Sequence, residues 1–313
     1  PAASPPATDP DRAAAEKLLS QFDLDILPAG KTEVLKLKAG SPVPAGTFAV
    51  IRVRCWSEDP LPKTFADEVL FPAVAPLARL VSLEDSGSKV EMGKADPAKW
   101  AGLATKESLQ QFELAVPLSD GWIDTFRQFP KLTAVHVHEA KKVPVATLKR
   151  LTELKALDSL RITSIEGLDR WEAITVLPLK KLGVSVAPNM DAAACERIAA
   201  MPALGTVSFY DIAFTGEMLA VLAPAPKLRS LTFTKCKLPA TGYDHLARMP
   251  NLGVLNIKGN DFGDVQLAQF AEAKNIQFVS VKETAVTEAG AKALAAKRPN
   301  LTIEWSGGRV KGR

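Results

Sequence analysis

The chain has 313 residues, of which 47% are hydrophobic and 24% are charged, as in a soluble, core-forming protein and unlike a disordered chain. Its net charge of +4 is the balance of 39 basic and 35 acidic side chains. So mild a charge argues against a nucleic-acid-binding protein, for which a dense basic stripe would be expected. No run of hydrophobic residues is long enough to predict a membrane span.

The N-terminal part of the sequence divides into three segments. Residues 1–10, PAASPPATDP, are rich in Pro and Ala and predict a linker. Because the sequence has no initiating Met and no signal peptide, we expect a signal, a lipid anchor, a membrane span or another domain upstream of residue 1. Residues 11–47 predict an N-terminal cap made of a short helix and a strand pair. Residues 48–107 contain weaker apolar triplets and predict irregular, degenerate repeats.

Residues 108–305 contain a regular repeat with the motif L-x-x-L-x-L. In NLGVLNIKGN at 251–260, its three apolar positions are Leu252, Leu255 and Ile257. Because side chains alternate between the faces of a strand, the second and third positions should point inward and their neighbours outward. The first position recurs every 22 to 25 residues, at Leu109, Leu132, Leu157, Leu179, Leu204, Leu228, Leu252, Ile276 and Leu301.

A polar turn and a segment of helical character follow the strands, as in TGEMLAVLA at 215–223. Thr215 is a residue of the type that caps helices, and prolines before the next strand stop the helices. A single repeat cannot bury its own apolar face, so neighbouring repeats must stack. We therefore predict an α/β solenoid, with a curved parallel sheet on the concave side and short helices on the convex side. The last residues, SGGRVKGR at 306–313, predict a flexible basic tail.

The triplet and its period resemble those of the leucine-rich repeat family. The resemblance covers residues 108–305 and implies a leucine-rich-repeat solenoid. It also implies that the ninth position of the motif hydrogen-bonds exposed backbone, a role that suits Cys236, Asn260 and Thr284. Earlier repeats depart from this pattern and carry Pro117, Ala140, Ile165, Ala187 and Ile212 at the same position.

Three further segments resemble leucine-rich-repeat regions of bacterial multidomain proteins, some of which follow a Ser/Thr kinase and a membrane span. They are DPDRAAAEKLLS, AGSPVPAGTF and VTEAGAKALAAKRPNLTIEW. No kinase motif is present in the sequence. The resemblance implies a recognition region attached to an upstream segment, and a tether of that kind would give an extracytoplasmic location.

The three cysteines, Cys55, Cys195 and Cys236, lie far apart and have neither metal-ligand spacing nor the density of a disulfide scaffold. We expect them to be buried, free thiols. The sequence also lacks a G-x-S-x-G motif, a Walker-type glycine loop and an H-E-x-x-H motif. These observations favour a non-enzymatic protein that needs no cofactor.

The outward positions of the repeats are mostly small and hydroxylic, which favours hydrogen bonding to an extended partner over a deep ligand pocket. We predict a monomeric protein-interaction module that binds an unidentified protein partner, and not nucleic acid, on its concave strand face. The candidate partner-binding residues are Glu113, His136, His138, Arg161, Thr163, Lys181, Tyr210, Thr232, Asn256, Lys258 and Lys282.

Two alternatives stay open. His136 and His138 share a strand face, and the repeat register places Glu113 and Arg161 on the adjacent strands. Two histidines and a glutamate could bind zinc or a small ligand, although the neighbouring Arg161 would repel a metal. The other alternative is a purely structural spacer that holds further domains apart.

Replacing the inward residue Leu255 with Ala should lower the free energy of unfolding by about 2–5 kcal/mol, because it removes buried methyl groups and leaves a cavity. Urea denaturation followed by circular dichroism measures the change. A loss below about 0.5 kcal/mol, typical of surface substitutions, would mean that the inward and outward positions are exchanged.

Overall fold

The computed structural model describes residues 9–55, 61–62, 64–85 and 92–312, so the predicted linker lies outside these ranges except for Asp9 and Pro10. The chain forms two compact units. The first contains Pro1–His138 and Arg150–Leu157, and the second contains Glu139–Lys149 and Asp158–Arg313. Within the described residues, no helix is both long enough and apolar enough to cross a membrane.

The first unit begins with a helix that is capped by Asp9, whose side chain accepts a hydrogen bond from the backbone N–H of Asp11. Its helices are α1 (Pro10–Leu18), α2 (Phe71–Val74), α3 (Pro97–Trp100) and α4 (Asp120–Phe126), with a π-helix at Ala66–Leu70 and 3-10 turns at Met92–Lys94 and Arg150–Glu153. Its strands are β1 (Asp23–Pro28), β2 (Leu35–Leu37), β3 (Phe48–Cys55), β4 (Ser82–Asp85), β5 (Gln111–Val116) and β6 (Ala134–Val137).

These strands form a mixed sheet in the order β6-β5-β4-β3-β1-β2. Strands β3 to β6 are parallel, whereas β1 is antiparallel to both β2 and β3. Behind β5, three buried aromatic rings pack around Phe112, which lies 5.5 Å from Trp100, 5.7 Å from Trp122 and 5.3 Å from Phe126 between ring centroids. The aromatic cluster therefore joins β5 to the helices α3 and α4.

In the second unit a helix follows each of the strands β7 to β12. The strands are β7 (Ser159–Thr163), β8 (Lys181–Ser185), β9 (Thr206–Tyr210), β10 (Ser230–Thr234), β11 (Val254–Lys258), β12 (Phe278–Val281), β13 (Thr302–Trp305) and β14 (Gly308–Lys311). The helices are α5 (Val145–Lys149), α6 (Leu168–Thr175), α7 (Ala192–Ala199), α8 (Gly216–Leu222), α9 (Tyr243–Ala247), α10 (Asp264–Ala268) and α11 (Glu288–Lys297), with 3-10 turns at Ala140–Lys142 and Gln269–Glu272.

Strands β7 to β13 are parallel and pair in chain order, as the repeat predicts. The predicted inward positions are buried along these strands, and Leu255 and Ile257 are fully so. On β7 to β11 the positions between them are half-buried or exposed, so the expected alternation is confirmed there. The repeat therefore determines both the strands and the face that each strand turns to the core.

The expectation of a flexible tail is wrong for Gly308–Lys311, which form β14, antiparallel to β13. Ser306 and Gly307 make the two-residue turn between them, a hairpin type that glycine favours. Gly312 then lies against the end of α11, where an added Cβ would collide with the carbonyl oxygen of Arg298. The small residues of this segment suggest flexibility in the sequence. In the structure they allow the tight hairpin turn and the close approach of Gly312 to helix α11.

A residue with left-handed backbone follows each of the strands β7 to β12. Its φ angle lies between 51° and 66°, at Ser164, Val186, Asp211, Lys235, Gly259 and Glu283. The first five of these residues donate their backbone N–H to a carbonyl at the end of the next strand or, for Gly259, one residue beyond it, at 2.9 to 3.1 Å. Positive φ therefore turns the chain out of the sheet while one more hydrogen bond to the neighbouring repeat is kept.

The ninth position of the motif comes directly after the left-handed residue, and its side chain stabilises the turn in one of two ways. Asn260 Nδ2 donates to the carbonyls of Phe233 and Lys258 at 3.0 and 2.9 Å, and the Cys236 thiol and Thr284 hydroxyl also donate to backbone carbonyls. In the earlier repeats this position is apolar and buried, at Ala140, Ile165, Ala187 and Ile212. The turns are therefore held by hydrogen bonds in the last repeats and by packing in the earlier ones.

All three cysteines are buried and unpaired, as the sequence predicts. Burial raises the pKa of the Cys195 thiol to about 12 and that of Cys236 to about 11. Burial also raises the pKa of Cys55. The thiolate, which is the reactive form, is therefore disfavoured at all three sites.

Val186 is the one β-branched side chain among the left-handed residues after β7 to β12, and it is 42% exposed. Left-handed backbone costs an ordinary L-residue about 1–2 kcal/mol, and Asn tolerates it better. We expect Val186→Asn to raise the free energy of unfolding by about 1 kcal/mol, measured by urea denaturation. Val265→Asn is the control, because Val265 is exposed on helix α10. An equal or smaller free energy of unfolding for Val186→Asn than for the unsubstituted protein would contradict the argument.

Candidate interaction surface

The outward side chains of β7 to β12, with Lys282 after β12, form the surface that we call the strand face. In-register pairing aligns them in rows across the sheet. The middle row is made mostly of small residues and contains Arg161, Gly183, Ser208, Thr232, Asn256 and Ser280. The small side chains leave room for a partner chain to approach the sheet.

Hydroxyl groups dominate the centre of the strand face. Six half-buried Ser and Thr side chains lie on three adjacent strands, at Ser185, Thr206, Ser208, Ser230, Thr232 and Thr234. Within the described residues, none of these hydroxyls hydrogen-bonds another protein group. Adjacent strands lie about 4.8 Å apart, so the array offers closely spaced donors and acceptors to a ligand.

The charge of the strand face is positive. Its outward positions, all of which lie in the described part of the chain, contain no carboxylate and four cations, at Arg161, Lys181, Lys258 and Lys282. Lys258 Nζ lies 3.1 Å from Glu283 at a strand end, and Lys282 Nζ lies 3.1 Å from Glu304 on β13. Surface ion pairs of this kind contribute about 0–1 kcal/mol, so they hold the lysines only weakly.

Two apolar patches interrupt the polar surface. Tyr210 is 42% exposed at the end of β9, beside the equally exposed Val186, whose N–H donates to the Tyr210 carbonyl at 3.0 Å. At the start of β11 and β12, Val254 lies in register with Phe278, and the guanidinium of Arg309 is 5.6 Å from the centre of the Phe278 ring. The two patches lie near opposite ends of the strands.

Eight of the candidate residues therefore lie on the strand face of the second unit: Arg161, Thr163, Lys181, Tyr210, Thr232, Asn256, Lys258 and Lys282. Sequence reasoning missed Val186 because a β-branched residue gives no signal for the left-handed backbone found there. Its place directly before the ninth position of the motif, which the left-handed residues of the other repeats share, is the signal that could have identified it.

The other three candidates lie in the first unit. Glu113 is half-buried on β5, and His138 is exposed directly after β6. His136 was expected on an open polar face but is only 8% exposed, because both faces of β6 are covered and all four of its residues are buried. These three residues thus do not form one open surface.

The zinc alternative receives no support from this arrangement. Among the described residues, no three His, Cys, Asp or Glu side chains come together in a way that could hold a metal ion. His136 is enclosed, whereas His138 faces solvent. We therefore do not propose a metal site at Glu113, His136 and His138.

The second unit has a parallel strand every 22 to 25 residues, a left-handed residue after each strand from β7 to β12, and a ninth position that hydrogen-bonds backbone in the last repeats. This is the leucine-rich repeat fold. In leucine-rich repeats, the strands present one continuous face made from the same two or three positions of every repeat. The strand face is that surface in this chain.

No protein-family model and no curated protein matches the sequence. Among solved structures, an internalin, inlF from Listeria monocytogenes, is similar with 18% identity and a TM-score of 0.41 over 74% of this chain and 62% of the internalin. TLR13, in its complex with ssRNA13, is similar with 14% identity and a TM-score of 0.45 over 72% of this chain and 35% of TLR13. The chain thus spans less than two thirds of either protein.

We expect protein purified without a polyhistidine tag to contain less than about 0.1 equivalent of zinc, because the described residues of the first unit do not bring three ligands together. Inductively coupled plasma mass spectrometry after dialysis against zinc measures the ratio. Stoichiometric zinc that is lost in His138→Ala would contradict this expectation and restore the histidine pair as a metal site.

Proposed function

We propose that this leucine-rich repeat chain is a non-enzymatic interaction module and that its strand face binds a protein partner. The observation that carries the proposal is the array of six unengaged hydroxyls on three adjacent strands, in a surface made of small side chains. These half-buried hydroxyls have no hydrogen-bond partner within the described protein, so they are open to partners that a ligand offers. A partner with a hydrogen-bonding backbone would supply them.

The size of the strand face supports a polypeptide ligand. Six strands about 4.8 Å apart and about five residues long cover roughly 29 by 17 Å, or roughly 500 Å². This area is larger than a small-molecule site needs and smaller than the roughly 800 Å² that each partner contributes to a standard interface between globular proteins. An extended segment of a partner protein fits these dimensions.

The chemistry of the strand face supports a role in binding rather than in catalysis. Acid–base catalysis usually depends on His, Asp or Glu, with Cys or Ser as a nucleophile beside a base. The outward positions of β7 to β12, all of them described, carry no carboxylate, imidazole or thiol. The hydroxyls of the face therefore have no such base beside them on these strands, which supports the proposal of a non-enzymatic module.

A bulky substitution in the middle row tests the proposal. Thr232 lies at the centre of the strand face, between Ser208 and Asn256 in register. We expect Thr232→Arg to reduce partner capture at least about tenfold, because the longer side chain blocks the approach to the sheet. The measurement is a quantitative pull-down from lysate and envelope fractions of the source organism, with captured proteins identified by mass spectrometry.

The matched control is Thr241→Arg, the same change at an exposed position between β10 and α9. Both variants should keep the melting temperature of the unsubstituted protein, so that any loss of capture reflects binding. A protein captured equally by all three would bind elsewhere. If the unsubstituted protein captures nothing, the proposal of a binding module is contradicted and the structural spacer becomes the favoured function.

A further inference from the structure

The geometry of one pair of residues points to the kind of segment that the strand face binds. We propose that Val186 and Tyr210 form the apolar contact point of this face, and that it takes an extended, acidic peptide segment with one aromatic or aliphatic side chain. This inference rests on the proposed function, since it names the partner chemistry of the same surface. It rests on four observations that concern backbone strain, exposure, charge and length.

The first observation is the strain at Val186. The corresponding residues after the other strands are Ser164, Asp211, Lys235, Gly259 and Glu283, which are polar or glycine. Val186 has φ of 52° with a branched side chain, a combination that is costly and gains little from packing, because the side chain is 42% exposed. Such strain persists at binding and catalytic sites, where the side chain is kept for what it contacts.

The second observation is that the exposed valine has an exposed aromatic neighbour. Ser185 and Tyr210 are in register on β8 and β9, and Val186 follows Ser185 directly. Tyr210 is 42% exposed, and the neighbouring outward side chains of β9 and β10 are the smaller Ser and Thr. Aromatic residues are enriched among the few positions that carry most of the binding free energy of interfaces. Together the pair gives a partner side chain a local apolar contact within a polar surface.

The third observation is the charge of the strand face. Four cations and no carboxylate occupy its outward positions, all of which are described. Two of these cations, Lys258 and Lys282, already pair with Glu283 and Glu304. The exposed Asp211 follows Tyr210 directly, at the position that corresponds to Val186. Lys181 is exposed and forms no ion pair within the described residues. Carboxylates of a partner would therefore meet complementary charge on the face and would be attracted to it over about 8–10 Å at ordinary salt.

The fourth observation is the length of the surface. A peptide crossing the six strands covers roughly 29 Å, which is about eight or nine residues of extended chain at roughly 3.3 Å per residue. Residues of such a chain alternate between the protein and solvent, so one apolar side chain can meet Val186 and Tyr210 while neighbouring carboxylates reach the lysines. The structure thus favours a short linear segment over a folded domain.

The test begins with a phage-displayed library of random dodecapeptides, selected against the immobilised full chain. The most frequent sequences are then synthesised, and their dissociation constants are measured by fluorescence anisotropy. We expect sequences rich in Asp and Glu around one aromatic or aliphatic residue. Their affinity should fall at least about tenfold when salt rises from about 0.05 M to about 0.5 M.

Val186→Asn separates binding from stability. It should weaken peptide affinity at least about fivefold while leaving the melting temperature equal or higher, because it removes both the apolar contact and the backbone strain. If Val186 had only a structural role, the substitution would change the peptide affinity and the melting temperature in the same direction. Tyr210→Ala and Lys181→Glu should each weaken the same peptides, and Val265→Asn on helix α10 is the control that should not.

The outcomes distinguish this inference from the proposed function. Selected peptides that lack acidic residues, or that bind Val186→Asn unchanged while Thr232→Arg abolishes binding, would overturn the inference and keep the strand face as a binding site. Peptides whose affinity is indifferent to Thr232→Arg would overturn both. A selection that enriches no peptide would overturn the inference alone, because a folded partner could still bind the face.

Discussion

The hydrogen bond at the end of each strand is the constraint on which the rest of the second unit depends. A residue in left-handed backbone donates its N–H to the carbonyl that ends the next strand, as Val186 does to Tyr210 at 3.0 Å. The bond holds each strand pair in register, with Ser185 opposite Tyr210 and Tyr210 opposite Thr234. A slip by one residue would turn every outward side chain into the core. The aligned rows of the strand face follow from this repeated bond.

The same junction is stabilised differently along the chain. In the last repeats, Asn260 and its counterparts hydrogen-bond the carbonyls at the strand end, whereas Ala187 and Ile212 fill the position by packing. A buried amide that serves two carbonyls specifies one geometry, while an apolar side chain tolerates more variation. The unusual backbone at Val186 falls in a repeat of the second kind, where packing rather than hydrogen bonding holds the turn.

Much of the second unit could be predicted from its sequence, because the apolar triplet carries both the strand position and the inward face. Leu255 and Ile257 are buried as the alternation requires, and Asn256 between them is half-buried on the outward side. The triplet is a local signal that needs no knowledge of the neighbours. The parallel pairing follows because the repeats have nearly equal length and must stack.

The predictions from sequence that were wrong concern features that depend on distant parts of the chain. His136 follows the alternation and yet is buried, since coverage of an outward face is decided by residues far away in sequence. The segment SGG suggests flexibility until β13 provides a strand for Gly308–Lys311 to pair with. Val186 was missed because residue type argues against its backbone angle, and only its place directly before the ninth position of the motif indicates it.

The three buried thiols have a practical consequence for following how the protein opens. Cys55 lies in the first unit, and Cys195 and Cys236 lie in separate repeats of the second. A buried thiol with a raised pKa is alkylated only when its surroundings open, so its labelling rate reports a local opening equilibrium. Mass spectrometry after timed alkylation would therefore give a separate opening free energy for each region, using side chains that the protein already has.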